Sequence, residues 1–286
     1  MGEGSLSSST APILELHEVH MHFGGVVALK GVTTQIPRGI IQSIIGPNGA
    51  GKTTLLNCIS GLLKPSSGTV LFQGEPVEGK RPHEIARRGL SRTFQHVALF
   101  SHMSVWENVM VGRHARTRSG FWAAGFRLPS MRREEARIRE EAEAWLVFAG
   151  LQEARDLPAG ALPLGKQKIL EIARALATDP ILLLLDEPAG GLNTRETEEL
   201  GELLRRIQQK GITVVLVEHD MNLVMDISDR VLVLHFGQVL ASGPPREIKD
   251  NPNVIQAYLG EEWGNGNSGL QKRSSADNDE PRKTRA

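Results

Sequence analysis

The sequence predicts an α/β fold built on a mainly parallel sheet, and three observations indicate it. Short apolar runs that suit buried strands alternate with helical patterns. A glycine-rich segment follows one of these runs and precedes a helical pattern, and acidic residues follow two other runs. Ligands of such sheets bind at the carboxyl ends of the strands. We therefore expect residues far apart in the chain to meet in one site.

The glycine-rich segment, residues 46–53, is a phosphate-binding loop. It fits G-x-x-x-x-G-K-[ST] without a gap, after a strand predicted at residues 40–45 and before a helix predicted at 54–62. Its backbone N–H groups can approach a polyphosphate, Lys52 can reach the β- and γ-phosphates, and Thr53 can hold Mg²⁺. The residues predicted to bind the nucleotide are Gly46, Pro47, Asn48, Gly49, Ala50, Gly51, Lys52, Thr53 and Thr54.

The other elements follow from periodicity along the chain. Strands are predicted at residues 13–23, 26–36 and 69–73, the first two separated by Gly24 and Gly25. From about residue 82 to 177 the pattern is mostly helical, with helices predicted at residues 82–88, 104–111, 132–148 and 167–177, and a helical subdomain is predicted at about residues 96–178. The sheet resumes with strands at residues 181–186, 212–218 and 230–234 and a helix at 194–209.

Composition sets the limits of the domain and of its partners. The domain is predicted to span residues 13–260, while residues 1–12 and 261–286 are polar or Gly/Ser-rich and are predicted to be disordered. The 33 basic and 33 acidic residues balance, which does not favour nucleic acid as a partner. The single cysteine, Cys58, excludes an internal disulfide. Apolar runs such as residues 181–185 are far too short to cross a bilayer, so we expect a soluble chain.

Two carboxylates end the apolar strand predicted at residues 181–186. Asp186 is predicted to hold Mg²⁺ through water, and Glu187 to lie beside the γ-phosphate as the general base for an attacking water. The alternative is an acidic turn after a core strand. An intact phosphate loop earlier in the chain favours the catalytic interpretation.

His219 and Gln95 complete the predicted catalytic residues. His219 follows another apolar strand and can donate a hydrogen bond to the γ-phosphate, although a lone histidine is usually structural. Gln95 lies at the entry to the helical subdomain and is predicted, from position alone, to contact Mg²⁺ or the water. A further segment, residues 162–167, opens a helix with Gly165 near its start and offers free N–H groups to phosphate. Its alternative is an ordinary helix cap.

The order of these motifs resembles the ATP-binding subunits of ABC transporters over about residues 13–259. The chain is most similar to the Liv-type branched-chain amino acid importer ATPases. The shared features are Phe23-Gly24-Gly25, the Leu-Pro-x-Gly-x-Gln variant at residues 162–167, Ala189-Gly190-Gly191-Leu192-Asn193, Val217-Glu218-His219-Asp220-Met221 and Val254-Ile255-Gln256-Ala257-Tyr258-Leu259-Gly260. The resemblance implies a P-loop NTPase core with a mainly parallel sheet, an antiparallel β subdomain and a helical subdomain.

The resemblance also implies roles and partners. Phe23 would stack on adenine, and Leu162, Gly165 and Gln167 would cap the ATP of a facing subunit. That subunit would be a second ABC ATPase in a head-to-tail homodimer or heterodimer, of which the Liv-type resemblance implies the heterodimer. The other implied partners are integral-membrane permease subunits and, indirectly, an extracytoplasmic substrate-binding protein. The expected location is peripheral, at the cytoplasmic face of the inner membrane.

Two departures from the commonest family pattern bear on activity. Pro163 stands where serine is usual, and Asn193 replaces an aspartate. The Liv-type group has both, so an active enzyme is still expected.

Residues 113–133 carry seven Arg or His residues and three aromatics without an acid, which suits a permease loop or anionic lipid. The alternative there is a solvated loop.

Two other functions remain open from the sequence. A lipopolysaccharide-export ATPase has a similar C-terminal end and a similar histidine loop, and a soluble ABC ATPase can act in translation or DNA repair. The Leu-Pro-x-Gly-x-Gln variant and the insertion near residues 120–129 favour the importer over the exporter. A single phosphate loop and the lack of a heptad stretch disfavour the soluble class.

Overall fold

Strands and helices alternate along the computed structural model, which describes residues 11–95, 97–114 and 129–258. The strands are β1 (Leu14–Phe23), β2 (Val26–Ile36), β3 (Ile41–Ile45), β4 (Ser67–Phe72), β5 (Glu75–Pro76), β6 (Leu90–Arg92), β7 (Leu182–Asp186), β8 (Thr213–Val217), β9 (Arg230–His235) and β10 (Gln238–Gly243). The helices are α1 (Lys52–Ile59), α2 (Pro82–Arg87), α3 (Val105–His114), α4 (Pro129–Phe148), α5 (Leu164–Leu176), α6 (Thr194–Gln209), α7 (Met221–Ile227) and α8 (Pro245–Lys249). Residues 252–258 are also helical.

The larger sheet is mainly parallel, as predicted. Its strand order is β10-β9-β3-β8-β7-β6, and only β10 runs antiparallel to its neighbour. Every residue of β3, β7 and β8 is buried, because helices or the second sheet cover both faces. The register pairs Val217 with both Ile44 and Asp186, so the phosphate loop, Glu187 and Glu218 leave three adjacent strands at one edge.

The smaller sheet is antiparallel and has the order β2-β1-β4-β5, which confirms the antiparallel part of the fold prediction. Its first two strands are joined at Gly24, whose φ of +56° suits the tight turn. Helix α1 contributes Leu55, Leu56 and Ile59 to the core shared with this sheet. The phosphate loop is therefore anchored on well-packed elements on both sides.

Helices α3, α4 and α5 pack on one another around their own apolar core. Helix α5 also belongs to a second core, since Ile172 and Leu176 pack with residues of β7, β8 and α6. It thus joins the helical group to the main sheet. The boundaries of a helical subdomain at residues 96–178 stay a prediction.

Several element predictions need correction. Helix α1 begins at Lys52, not residue 54, and ends before Gly61, which has a φ of +71°. Helix α5 begins at Leu164 rather than residue 167, because Pro163 has an extended conformation and caps it. Strand β6 lies in a stretch predicted to be mostly helical, and at three residues it is too short to show alternation.

Some predictions fall mainly outside the described residues, namely those for both termini and for the basic aromatic segment at residues 113–133. Arg113 itself is described, and it forms ion pairs with Glu141 and Asp179. No helix within the described ranges is long and apolar enough to cross a membrane.

Candidate nucleotide-binding site

The phosphate loop joins β3 to α1, and its glycines adopt backbone angles that other residues rarely reach. The angle φ is +150° at Gly46, +77° at Gly49 and +102° at Gly51. A Cβ atom at Gly46 would overlap the carbonyl oxygen of Leu234, and one at Gly51 would lie 2.6 Å from that of Ala28. The path of the loop is therefore fixed by neighbouring backbone and requires glycine at both positions.

Lys52 holds the loop from its carboxyl end. The residue is 8% exposed, and its Nζ donates hydrogen bonds to the carbonyl oxygens of Gly46 at 2.6 Å and Pro47 at 3.0 Å. Thr53, on the next position of α1, is exposed, and Thr54 is half-buried. The structure thus brings a cation, a glycine-rich backbone and the start of a helix together, which is the chemistry that a polyphosphate requires.

Asp186, at the end of β7, is buried and forms an ion pair that the sequence analysis missed. Its Oδ2 accepts a hydrogen bond from Arg92 Nη2 at 3.0 Å. The other guanidinium nitrogen, Nη1, donates to Asn57 Oδ1 at 2.7 Å and Ser60 Oγ at 2.8 Å, so Arg92 ties this carboxylate to α1. Burial raises the pKa of Asp186, and Arg92 lowers it.

Asp186 has a second carboxylate oxygen, Oδ1, which does not face Arg92. Its Oδ1 is buried and has no partner among the residues that the structure describes. A buried carboxylate oxygen with open acceptor capacity fits a hard cation or a water bound to one. The side chain therefore fits the predicted Mg²⁺ site.

Gln95 and Glu187 meet although 92 positions separate them in the chain. Gln95 Nε2 donates to Glu187 Oε2 at 2.9 Å. The Glu187 backbone N–H donates to the carbonyl oxygen of Val217 at 2.9 Å, and its φ is +50°. Gln95 was predicted to contact Mg²⁺ or water, and in this structure its amide nitrogen donates a hydrogen bond to Glu187, the predicted general base.

His219 follows β8 with its side chain 63% exposed. Among the described residues no hydrogen bond joins it to Glu187, whereas its neighbour Glu218 is fully buried and reaches the turn after Glu187. Glu218 Oε1 accepts from the backbone N–H of Ala189 at 2.6 Å, and Oε2 accepts from that of His219 at 3.1 Å. Burial raises the pKa of Glu218.

Residues 162–167 lie at the start of α5 and against α6. Gln167 Nε2 donates to the carbonyl oxygen of Leu162 at 2.8 Å. A Cβ atom at Gly165 would lie 2.6 Å from Glu196 Oε1, in the first turn of α6. Glu196 and Asn193 form a reciprocal capping box, with both hydrogen bonds at 3.0 Å. Asn193 therefore has a capping role that aspartate would also fill.

Phe23 ends β1 and is 46% exposed, so its ring is accessible on the surface. It lies at the turn between the first two strands of the antiparallel sheet. This exposure suits a stacking partner, whereas an aromatic residue of the core would be buried.

The family model for ABC transporters matches residues 29–190 of the chain, which contain the phosphate loop, Gln95, Glu187 and the start of α5. The chain belongs to the ABC transporter family. A further model, for branched-chain amino acid ATP-binding cassette transporters, matches residues 238–263. The predicted family, the predicted fold and the predicted ATPase activity are confirmed, and this ABC ATPase binds and hydrolyses ATP.

Named relatives resemble the ABC ATPase over nearly their whole length. The high-affinity branched-chain amino acid transport ATP-binding protein BraF of Pseudomonas aeruginosa is 46% identical over 251 residues, covering 87% of this chain and 98% of that protein. The high-affinity branched-chain amino acid transport ATP-binding protein LivG of Escherichia coli K12 is 45% identical over 251 residues, covering 87% of this chain and 98% of that protein. The ADP conformation of MJ1267, an ATP-binding cassette of an ABC transporter, superposes with a TM-score of 0.76 at 32% identity, covering 88% of this chain and all of that one.

Two charged residues of this ABC ATPase were missed from the sequence. Arg92 ends the short strand β6, and Lys168 lies inside α5, where its Nζ donates to the carbonyl oxygens of Glu187 and Gly190. A signal for Lys168 was present, because it shares a helix face with Ile172, four residues on, which is apolar. No comparable signal marks Arg92.

Proposed function

We propose that this ABC ATPase powers import of branched-chain or related amino acids through membrane permease subunits, at the cytoplasmic face of the inner membrane. The observation that carries the proposal is 45–46% identity, across 98% of their lengths, to two proteins named for high-affinity branched-chain amino acid transport. The match of residues 238–263 to a model of the same class supports it.

The nucleotide is held mainly by the phosphate loop. The backbone N–H groups of residues 46–54 other than Pro47, and the ammonium of Lys52, bind the phosphates, and Phe23 stacks on the adenine ring. The buried position of Lys52 at the loop and the exposed ring of Phe23 support these roles.

Asp186, Thr53 and Gln95 are the residues that would hold Mg²⁺. The open Oδ1 of Asp186 supports this, and Gln95 keeps its amide oxygen available because Nε2 makes the bond to Glu187. No group of three His, Cys, Asp or Glu residues in the described ranges forms a metal site alone, so phosphate oxygens would complete the ligand set. When bound, the ion neutralises charge on the β- and γ-phosphates.

Glu187 acts as general base for the attacking water, and Gln95 orients that water. The hydrogen bond between the two side chains supports this assignment. His219 donates a hydrogen bond to the γ-phosphate from the adjacent strand end, where its exposed imidazole is free to meet a ligand.

A second ABC ATPase subunit completes the site. Leu162, Gly165 and Gln167 of that subunit cap the γ-phosphate, and Pro163 supports the start of α5 that presents them. The permease contacts the groove beside Gln95, which holds about 510 Å³ and exposes Phe94 and Phe100. An apolar rim of this kind suits a partner segment.

The transport proposal is tested by isolating the chain from membranes with its permease and reconstituting the complex with its substrate-binding protein. We expect leucine, isoleucine or valine to stimulate ATP hydrolysis and to enter the vesicles, with glutamate as the unmatched control. Equal responses to both classes would contradict the assigned cargo, and recovery without any membrane protein would contradict the transport role.

A further inference from the structure

The turn that follows β7 is held by two buried side chains of opposite charge, neither of which has a role in the function proposed above. The turn comprises residues 187–190, and its first residue, Glu187, has a φ of +50°. Non-glycine residues rarely adopt this conformation, and it persists only where surrounding contacts over-determine it. The contacts of the turn therefore decide where the Glu187 carboxylate lies.

Lys168 reaches the turn from α5. It is 8% exposed, and its Nζ donates to the carbonyl oxygens of Glu187 at 3.2 Å and Gly190 at 2.5 Å, the two ends of the turn. Burial lowers the pKa of Lys168, and the nearby carboxylates of Glu218 and Glu171 raise it again. A desolvated ammonium needs such partners, and here it spends its hydrogen bonds on the backbone of this turn.

Glu218 reaches the same turn from the end of β8. It is 0% exposed, and its Oε1 accepts from the backbone N–H of Ala189 at 2.6 Å, in the middle of the turn. Its Oε2 accepts from the backbone N–H of His219 at 3.1 Å. One buried carboxylate therefore ties the turn to the residue proposed to meet the γ-phosphate.

We propose that Lys168 and Glu218 are positioning residues that fix the 187–190 turn, and with it the Glu187 carboxylate. The proposal rests on the proposed role of Glu187 as general base. Lys168 directly follows residues 162–167 on α5, the segment proposed to cap the ATP of the facing subunit. A displacement of α5 is thereby transmitted to the backbone of the 187–190 turn through two hydrogen bonds, one to Glu187 and one to Gly190.

A purely structural role for this pair gives a different result. Loss of a buried lysine that only supports packing would lower the unfolding temperature and leave kcat per folded molecule unchanged. Loss of a positioning residue lowers kcat at unchanged affinity for ATP, and a side chain that restores the donors restores kcat.

The test is ATP hydrolysis by the assembled transporter. Lys168→Met keeps the length of the side chain and removes its donors, so we expect kcat to fall about tenfold with KM for ATP within roughly twofold. Lys168→Arg restores donors and should recover at least about a third of kcat. The matched control is Lys64→Met, at an exposed lysine, with wild-type kcat. Wild-type kcat in Lys168→Met, or an Arg variant no better than Met, overturns the proposal.

A parallel measurement of Glu187→Gln separates this proposal from the one it rests on. Normal turnover in Glu187→Gln removes the base assignment, whereas lost turnover there with wild-type kcat in Lys168→Met removes only the positioning role. If Lys168→Met does not assemble, Glu218→Gln decides, because it keeps the volume and removes the charge. A fall in kcat of about threefold or more at unchanged KM supports the proposal, and unchanged kcat overturns it.

Discussion

Glu187 is the residue proposed to act as the general base in ATP hydrolysis. In Glu187→Gln the amide oxygen can still accept from Gln95 Nε2, so the local geometry is kept while the base is lost. We expect ATP binding to persist and turnover to fall by about 10²–10⁴, the usual contribution of a general base. Single-turnover hydrolysis and equilibrium ATP binding measure the two effects. The control is Glu198→Gln, because Glu198 is an exposed residue of α6. Normal hydrolysis in Glu187→Gln would refute the base assignment.

Cys58 offers a second test at the level of one side chain. It is 1% exposed in α1, and burial, with a smaller contribution from Glu78, raises its pKa from 9.0 to about 11. Because the thiolate is the reactive form, two pKa units lower its fraction about 100-fold. We expect a thiol reagent near neutral pH to modify the native protein at least about 100-fold more slowly than the unfolded chain.

The same shift makes stability depend on pH. The folded pKa exceeds the unfolded one, so the stabilisation is complete below pH 9 and is lost as pH rises toward 11. Chemical unfolding of the wild type and of Cys58→Ser across this range gives the comparison. A curve with the same slope for both proteins would show that the thiol does not contribute.

At the scale of elements, the start of α5 carries the main departure from the commonest family pattern. Pro163 caps this helix with φ −57° and ψ 153° and without a side-chain hydrogen bond. Serine adopts these angles and can accept from a first-turn N–H, which stabilises a helix by about 0.5–2 kcal/mol. Loss of proline costs about 0.4–1 kcal/mol through the unfolded chain.

We therefore expect Pro163→Ser to change the free energy of unfolding by between about −0.5 and +1.6 kcal/mol, the gain from the cap less the loss of proline. ATP hydrolysis by the assembled complex should stay intact or rise, because the serine hydroxyl is an additional donor to the γ-phosphate. Thermal unfolding and steady-state hydrolysis measure the two quantities. A tenfold loss of hydrolysis would show that proline is required at this cap.

The elements that the sequence predicted are those whose signal is local. The strand, loop and helix around Lys52 and the apolar run before Asp186 follow from a few adjacent residues. The partners of Asp186 do not, because Arg92 lies 94 positions away on a three-residue strand whose place in the sheet depends on pairing with the distant β7. Lys168 was missed for the same reason: its bonds to the Glu187 turn depend on how α5 packs on the sheet.

At the scale of the whole molecule, α5 joins the two halves of the proposed composite site within one subunit. It begins at the segment proposed to cap the facing ATP, it packs into two cores, and it contacts the Glu187 turn through Lys168. Arg92 makes the other connection, from the carboxylate of Asp186 to α1 behind the phosphate loop. The two halves of the proposed composite site are thus connected within each subunit through helices α1 and α5.

If the site is composite, variants in its two halves should affect ATP binding by the isolated subunit and hydrolysis by the complex differently. Gly165→Asp puts a carboxylate where the facing γ-phosphate is proposed to bind, so we expect hydrolysis by the assembled complex to fall at least about tenfold through like-charge repulsion. ATP binding by the isolated subunit should stay within roughly twofold, since its own loop holds the nucleotide. Lys52→Ala should instead abolish that binding.

Gly165→Ala adds volume at this position without adding charge, so it separates the two effects of Gly165→Asp. Its Cβ would lie 2.6 Å from Glu196 Oε1, so the Glu196 side chain must shift at the expense of its capping bond from the Asn193 N–H, and the variant measures this effect of volume alone. Equilibrium ATP binding by the isolated subunit and hydrolysis by the complex are measured for all three variants. If Gly165→Asp weakens binding by the isolated subunit as much as Lys52→Ala does, both segments serve one nucleotide within one chain. The proposed composite site between two subunits would then be wrong.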